Sequence, residues 1–144
     1  MNVISSTGPT EMIAVGIQPG EMLLETIQQV CRDRDIRNGA VVSGIGTLKT
    51  CHMHFIEHTD FPPTDRFYRL GKPLELLSVS GLIADGEPHL HIVVSCGDSE
   101  VYAGHLEPDS EVAYLAEIAI LKCNDLAMTR RLDEGRKIKL LSAK

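Results

Sequence analysis

The sequence predicts an α+β fold in which several antiparallel strands accompany a single helix. Short runs rich in Val, Ile and Leu alternate with turn residues along most of the chain, which is typical of strands joined by hairpins. Helical periodicity is clear only after Pro19-Gly20-Glu21, and Asn38-Gly39 ends that segment. Its apolar residues lie on one helix face and are Leu23, Leu24, Ile27, Val30 and Cys31.

The other elements are predicted from apolar runs bounded by turn residues. Strands are expected at residues 12–17, 40–48, 74–83, 112–121, 126–132 and 137–141, and residues 59–73 are expected to form a loop. Asp85-Gly86 predicts a tight turn between two antiparallel strands. Gly44 and Gly46 interrupt the second strand, which predicts that another backbone or a ligand approaches closely there.

Length and composition indicate one domain, predicted at residues 10–144 after a short arm at residues 1–9. The chain has 144 residues, of which 43% are hydrophobic and 24% are charged, as in ordinary globular domains. No apolar run reaches the ~20 residues that span a bilayer. The first basic residue is Arg32, so a signal peptide is not expected. Four scattered cysteines without a C-x-x-C pattern favour free thiols, and we expect a cytoplasmic location.

A hairpin between residues 88 and 106 carries three histidines. A loop centred on Asp98 puts the apolar side chains of both strands on one face, namely Leu90, Ile92, Val94, Tyr102 and Leu106. The same register puts His89 and His91 on the other face, with His105 directly across from His91. A slip of one residue would mix the two faces, so the hydrophobic pattern selects this arrangement.

Three neutral imidazoles from adjacent strands suit zinc with a fourth position left open. The alternative is that histidines on an exposed sheet face only form hydrogen bonds. His52, His54 and His58 form a second group, interpreted as surface histidines with modest metal potential because no partner strand with a third ligand is evident. Glu75 and Glu117 interrupt apolar runs and are the candidate acid–base residues, or else edge residues.

The charge distribution offers one alternative partner. The formal net charge is −6, yet the residues after Leu121 carry seven basic and three acidic side chains, a balance of 7 − 3 = +4. A basic segment is a candidate contact for DNA, although a solvated strand end is the favoured interpretation.

Three segments together resemble the PPC domain, the "plants and prokaryotes conserved" domain that follows AT-hook motifs in plant nuclear proteins. They are residues 42–47 (VSGIGT), residues 71–81 (GKPLELLSVSG), and the pattern from His89-Leu90-His91 through Gly104-His105-Leu106 to Ala116-Glu117-Ile118. The second is similar to the plant segment G-R-F-E-I-L-S-L-S-G, with Lys72 for Arg and an added Pro73. The resemblance extends over about residues 10–142.

The resemblance implies a mixed, mostly antiparallel sheet with one main helix, similar to the acetolactate-decarboxylase-like fold. It also implies a homotrimer with sites near subunit boundaries, and zinc bound by His89, His91 and His105 as in prokaryotic members. A small-molecule ligand at the metal is expected, without a predicted substrate. The chain has no R-G-R-P AT-hook, which counts against minor-groove binding, while the family label keeps DNA as the alternative partner.

Overall fold

The computed structural model describes residues 1–144 and contains ten strands and one helix. In chain order they are β1 (Thr10–Ile17), α1 (Leu23–Asp33), β2 (Asn38–Leu48), β3 (Cys51–Ile56), β4 (Asp65–Leu70), β5 (Leu74–Ala84), β6 (Glu87–Cys96), β7 (Glu100–Leu106), β8 (Val112–Cys123), β9 (Met128–Asp133) and β10 (Ile138–Ala143).

Eight strands form one sheet in the order β1-β8-β2-β5-β6-β7-β3-β4, and β9 and β10 form a separate hairpin. All strand pairs are antiparallel. The predicted α+β class with one main helix is therefore confirmed. No helix in the protein is long and apolar enough to span a membrane.

Helix α1 covers one face of the sheet and supplies part of the hydrophobic core. Leu23, Leu24, Ile27 and Cys31 are buried against the strands, as their helical spacing predicts. The helix start is fixed by tertiary contact, because the Leu23 amide donates to the Ser110 carbonyl at 2.9 Å. We call the sheet face opposite α1 the open face. It carries the neighbours of buried residues, because side chains alternate along each strand.

Strand β4 lies within the predicted 59–73 loop, so that part of the prediction is wrong. The strand is at the sheet edge and its side chains are exposed or half-buried. An edge strand of this kind buries no complete face, so it lacks the alternating hydrophobic pattern that sequence analysis detects. The residues of β4 form a strand because their backbone pairs with β3.

Gly44 and Gly46 make room for neighbouring strands of the same chain. A Cβ on Gly44 would lie 2.6 Å from Val79 Cβ and 2.9 Å from Ile118 Cδ1. A Cβ on Gly46 would lie 2.3 Å from the Leu115 carbonyl oxygen. The predicted close approach is real, but β5 and β8 make it, so in this chain these glycines do not line the histidine face.

The N-terminal arm, residues 1–9, has no helix or strand and lies against the chain beyond β8. The Asp125 carboxylate accepts hydrogen bonds from the Ser6 hydroxyl and from the Thr7 and Gly8 amides. These contacts hold the pKa of Asp125 at about 2. The Asn2 side-chain amide also donates to the Leu141 carbonyl at 2.9 Å, so the arm is tied to the domain at both of its ends.

Candidate metal centre

The β6–β7 hairpin has the predicted register. Cys96 pairs with Glu100 around a three-residue loop, and His91 pairs with His105. Leu90, on the opposite side of β6, is buried against α1 and the core. His89 and His91 therefore lie on the open face, beside His105.

The three histidine rings lie at mutual distances that suit a shared ligand. Ring centres are 4.8 Å apart for His89 and His105, 5.6 Å for His91 and His105, and 5.6 Å for His89 and His91. Three imidazoles on a tetrahedral zinc ion, with Zn–N distances of about 2.0–2.1 Å, would have ring centres about 5 Å apart. The observed ring-centre distances of 4.8–5.6 Å are close to that value.

Partial burial keeps two of these imidazoles neutral at physiological pH. Desolvation, followed by the nearby His105 and Arg130, lowers the pKa of His89 to about 4. Desolvation and the neighbouring His54 also lower the pKa of His105, although Glu107 opposes this shift. Neutral imidazole is the form that coordinates metals, so the environment favours the binding form.

His54 belongs to the same cluster, contrary to the interpretation of residues 52–58 as surface histidines. Strand β3 pairs with β7, and His54 lies directly across from His105. Their rings stack with centres 4.5 Å apart. His52 instead contacts the Pro108 carbonyl oxygen through Nδ1 at 2.9 Å, and His58 is exposed in the β3–β4 loop.

Glu107 is the site carboxylate that the sequence analysis missed. Its Oε1 lies 2.6 Å from His54 Nδ1 and 3.2 Å from His105 Nδ1. A carboxylate can only accept these hydrogen bonds, so both Nδ1 atoms carry the proton and Nε2 of each ring keeps its lone pair. Glu107 lies one residue beyond the end of β7, so the rule that residues two apart in a strand share a face did not identify it.

His54, His105 and Glu107 form the one group of side chains whose ligand atoms are all close enough to hold one metal ion, and His89 and His91 are not part of it. The ligand atoms of this group all lie within 4.8 Å of one another. In the observed arrangement, however, Glu107 Oε1 is already engaged by the two Nδ1 atoms. The structure therefore contains two overlapping donor sets that share His105.

The candidate acid–base residues lie elsewhere on the open face. Glu75 pairs with Ser95, four residues from His91, or about 13 Å along β6 at ~3.3 Å per residue. Glu117 is on β8, three strands from β6, or about 14 Å away at ~4.8 Å per strand. Both side chains are exposed rather than semi-buried, and within one chain neither reaches the histidines.

A cavity of about 680 Å³ opens beside the cluster. His54, His89 and His105 form one wall, and the β3–β4 loop and the β9–β10 hairpin form the others. This volume is within the range of small-molecule sites. The fold and the cluster thus define a small antiparallel-sheet protein with a histidine-rich, ligand-sized cavity.

The chain belongs to the Plants and Prokaryotes Conserved domain family, abbreviated PCC or PPC. The family model matches residues 4–124, which confirms the resemblance predicted from the sequence. The match ends before β9, so the β9–β10 hairpin lies outside the matched region.

Solved structures from prokaryotes share the whole fold. A PPC protein from Pyrococcus horikoshii is 26% identical with a TM-score of 0.75, covering 100% of this chain and 98% of its own. A metal-containing protein from Archaeoglobus fulgidus is 24% identical with a TM-score of 0.82, covering 97% of this chain and 98% of its own. A protein from Bacteroides thetaiotaomicron, named for an inferred DNA-binding role, is 18% identical with a TM-score of 0.80, covering 99% of each chain.

Curated relatives are longer proteins. The bifunctional protein GlmU of Synechococcus sp. strain JA-3-3Ab is 25% identical over 127 residues, which are 88% of this chain and 20% of that protein. The chain thus spans about a fifth of the length of the curated relatives it matches.

Proposed function

We propose that the protein is a zinc-binding PPC-domain protein whose site, formed by His89, His91 and His105, binds a small-molecule ligand. The observation that carries this proposal is the convergence of three rings with centres 4.8–5.6 Å apart on one sheet face. Neutral imidazole suits zinc in both donor number and softness. The metal in the Archaeoglobus relative, which has the same fold, is consistent with it.

In this proposal Glu107 orients the ligands rather than binding the ion. By accepting the Nδ1–H of His105, it fixes the tautomer that offers Nε2, as carboxylates do behind many metal-bound histidines. It fixes His54 in the same way. His54 then serves as the stacked neighbour of His105, while the alternative donor set of His54, His105 and Glu107 remains a distinct, testable arrangement.

Three neutral ligands would leave the ion its full charge. Zinc so bound would polarise a ligand oxygen or lower the pKa of a water molecule to about 7. Proton transfer would need a further acid or base, and Glu75 and Glu117 are exposed on the open face. A neighbouring subunit would have to bring either of them to the site.

We also propose that the protein is a homotrimer that buries the apolar centre of the open face. Val42, Ile45, Leu77 and Leu115 are each about half exposed on the adjacent central strands β8, β2 and β5. Such an apolar patch in the middle of a sheet is typical of a subunit interface. Light scattering should give 3 × 15.8, about 47 kDa, and Leu77→Lys should lower it. A wild-type mass near 15.8 kDa would contradict the trimer.

DNA binding is the second candidate and rests on the names of relatives and on the basic C-terminal segment. Most of that charge is already partnered: Arg136 with Asp133, Lys137 with Glu134, Lys144 with Asp85, and Lys122 and Arg130 with backbone carbonyls. Of the seven basic residues, Lys122, Arg130, Arg131 and Lys139 have no acidic partner. These four cations are fewer than the roughly six to ten phosphate contacts that give strong, salt-dependent DNA binding, so little electrostatic affinity for phosphates is expected. With its free cysteines, the chain suits a reducing compartment such as the cytoplasm.

Elemental analysis of untagged protein tests the zinc proposal. The wild type should contain one zinc ion per chain and His105→Ala should contain almost none. His58→Ala is the matched control, because His58 lines the same cavity outside the proposed ligand set. Equal zinc in the wild type and His105→Ala would contradict the proposal.

A further inference from the structure

The β9–β10 hairpin lies beside the histidine site although it is outside the family match. Arg130 on β9 attaches it to the sheet, donating from Nη2 to the Leu82 carbonyl at 2.8 Å and from Nη1 to the Glu87 carbonyl at 2.9 Å. These two bonds use only part of the five N–H donors of the guanidinium. The hairpin therefore presents a positioned cation next to β6.

Register places Lys139 on the same hairpin face as Arg130. Leu141 pairs directly with Arg130, and Lys139 is two residues from Leu141 in β10, so the three side chains share a face. Arg131 points to the opposite face. The ammonium group of Lys139 forms no hydrogen bond or ion pair within the chain, unlike Lys137, which pairs with Glu134.

This hairpin face and the histidines enclose a groove of about 310 Å³, called here the hairpin groove. It is lined by His89, His91, Arg130 and Lys139 together with Gly81, Leu82 and Leu141. No carboxylate lines it, although the adjacent 680 Å³ cavity includes Asp60, Asp65 and Glu87. The two spaces share His89, Arg130 and Lys139, so one ligand can extend from the groove past the histidines into the cavity.

We propose that the ligand of this site is a small organic anion whose carboxylate or phosphate group lies in the hairpin groove and contacts Lys139 and Arg130. The position of the rest of the ligand rests on the proposed zinc site. The observation behind the inference is the charge pattern, because Arg130 and the unpaired Lys139 both face the hairpin groove and no carboxylate lines it. Both cations suit an oxyanion, since arginine and lysine bind carboxylates and phosphates through charge-assisted hydrogen bonds.

Titration of the zinc-loaded protein with acetate and, separately, with inorganic phosphate tests the proposal and distinguishes the two anions. Binding is followed by NMR in low-chloride buffer, using the backbone amides of His91 and Lys139. Lys139→Gln should weaken binding of the preferred anion about threefold to fivefold, as expected for one partly exposed ionic contact. Arg131→Gln is the matched control, because it removes a cation from the other hairpin face and should change the affinity less than twofold.

Several outcomes would overturn the inference. Equal anion affinity in the wild type and Lys139→Gln would mean that the anion binds the metal alone. Acetamide binding as tightly as acetate would show that charge is not recognised. Displacement of both anions by a short DNA duplex at far lower concentration, with the same dependence on Lys139, would assign the groove to nucleic acid.

The same titration on chelator-treated protein separates this inference from the zinc proposal. If the chain binds no zinc but an anion still binds in a manner that depends on Lys139, the anion site stands and the zinc proposal fails. If zinc binds and neither anion does, the zinc proposal stands and the anion site fails.

Discussion

Replacing Glu107 by glutamine tests how the carboxylate supports the histidines. The substitution keeps the size of the side chain and one carbonyl oxygen, but it removes the negative charge. In the wild type, Glu107 Oε1 accepts hydrogen bonds from Nδ1–H of His54 at 2.6 Å and of His105 at 3.2 Å. Loss of such an outer contact lowers metal affinity about 10- to 100-fold, which corresponds to about 1.4–2.7 kcal/mol of binding free energy. A competition titration of zinc against a chromophoric chelator measures the change.

Asp65→Asn is the matched control for Glu107→Gln. Asp65 Oδ2 lies 3.8 Å from His54 Nε2 and forms no contact with His105. The zinc affinity of Asp65→Asn should therefore differ from that of the wild type less than threefold, as expected for the loss of one surface charge. An equal loss in both variants would attribute the effect to general electrostatics. A far larger loss, above about 1,000-fold, would make Glu107 a direct ligand, since outer contacts contribute less than that. Unchanged affinity in Glu107→Gln would refute the orienting role.

Two further predictions test the fold. Gly44→Ala should lower stability by about 1–3 kcal/mol, because its Cβ would lie 2.6 Å from a core side chain, whereas Gly16→Ala, with nothing within 4 Å, should not; equal melting temperatures would contradict this. The pKa of Asp125 is lowered to about 2 from 3.8, so its contacts stabilise the arm above pH 3.8 and are lost as the pH falls towards 2. Hydrogen exchange at Thr7 and Gly8, corrected for intrinsic rates, should therefore accelerate over that interval and be fast in Asp125→Asn at every pH; protection as strong at pH 2 as at pH 5 would contradict the assignment.

The β6–β7 hairpin was predictable because local patterns determine it. Leu90, Ile92 and Val94 alternate with polar residues, and a short loop leaves one register that buries them. In that register His105 lies opposite His91. The positions of His89, His91 and His105 on one sheet face could therefore be predicted from the sequence.

The remaining parts depend on long-range topology. His54 meets His105 because β3 pairs with β7, and no local pattern states which distant strands become neighbours. Glu107 lies one residue beyond the end of β7, where burial no longer marks a face. The groove forms because the β9–β10 hairpin attaches to β5 and β6 through Arg130, a contact that joins residues 48 positions apart.

Zinc content of His91→Ala and His54→Ala, measured side by side on untagged protein, tests the central claim most directly. His91 belongs only to the proposed set with His89 and His105, and His54 belongs only to the overlapping set with Glu107. We expect His91→Ala to lose its zinc and His54→Ala to retain about one ion per chain. Zinc retained by His91→Ala and lost from His54→Ala would contradict it.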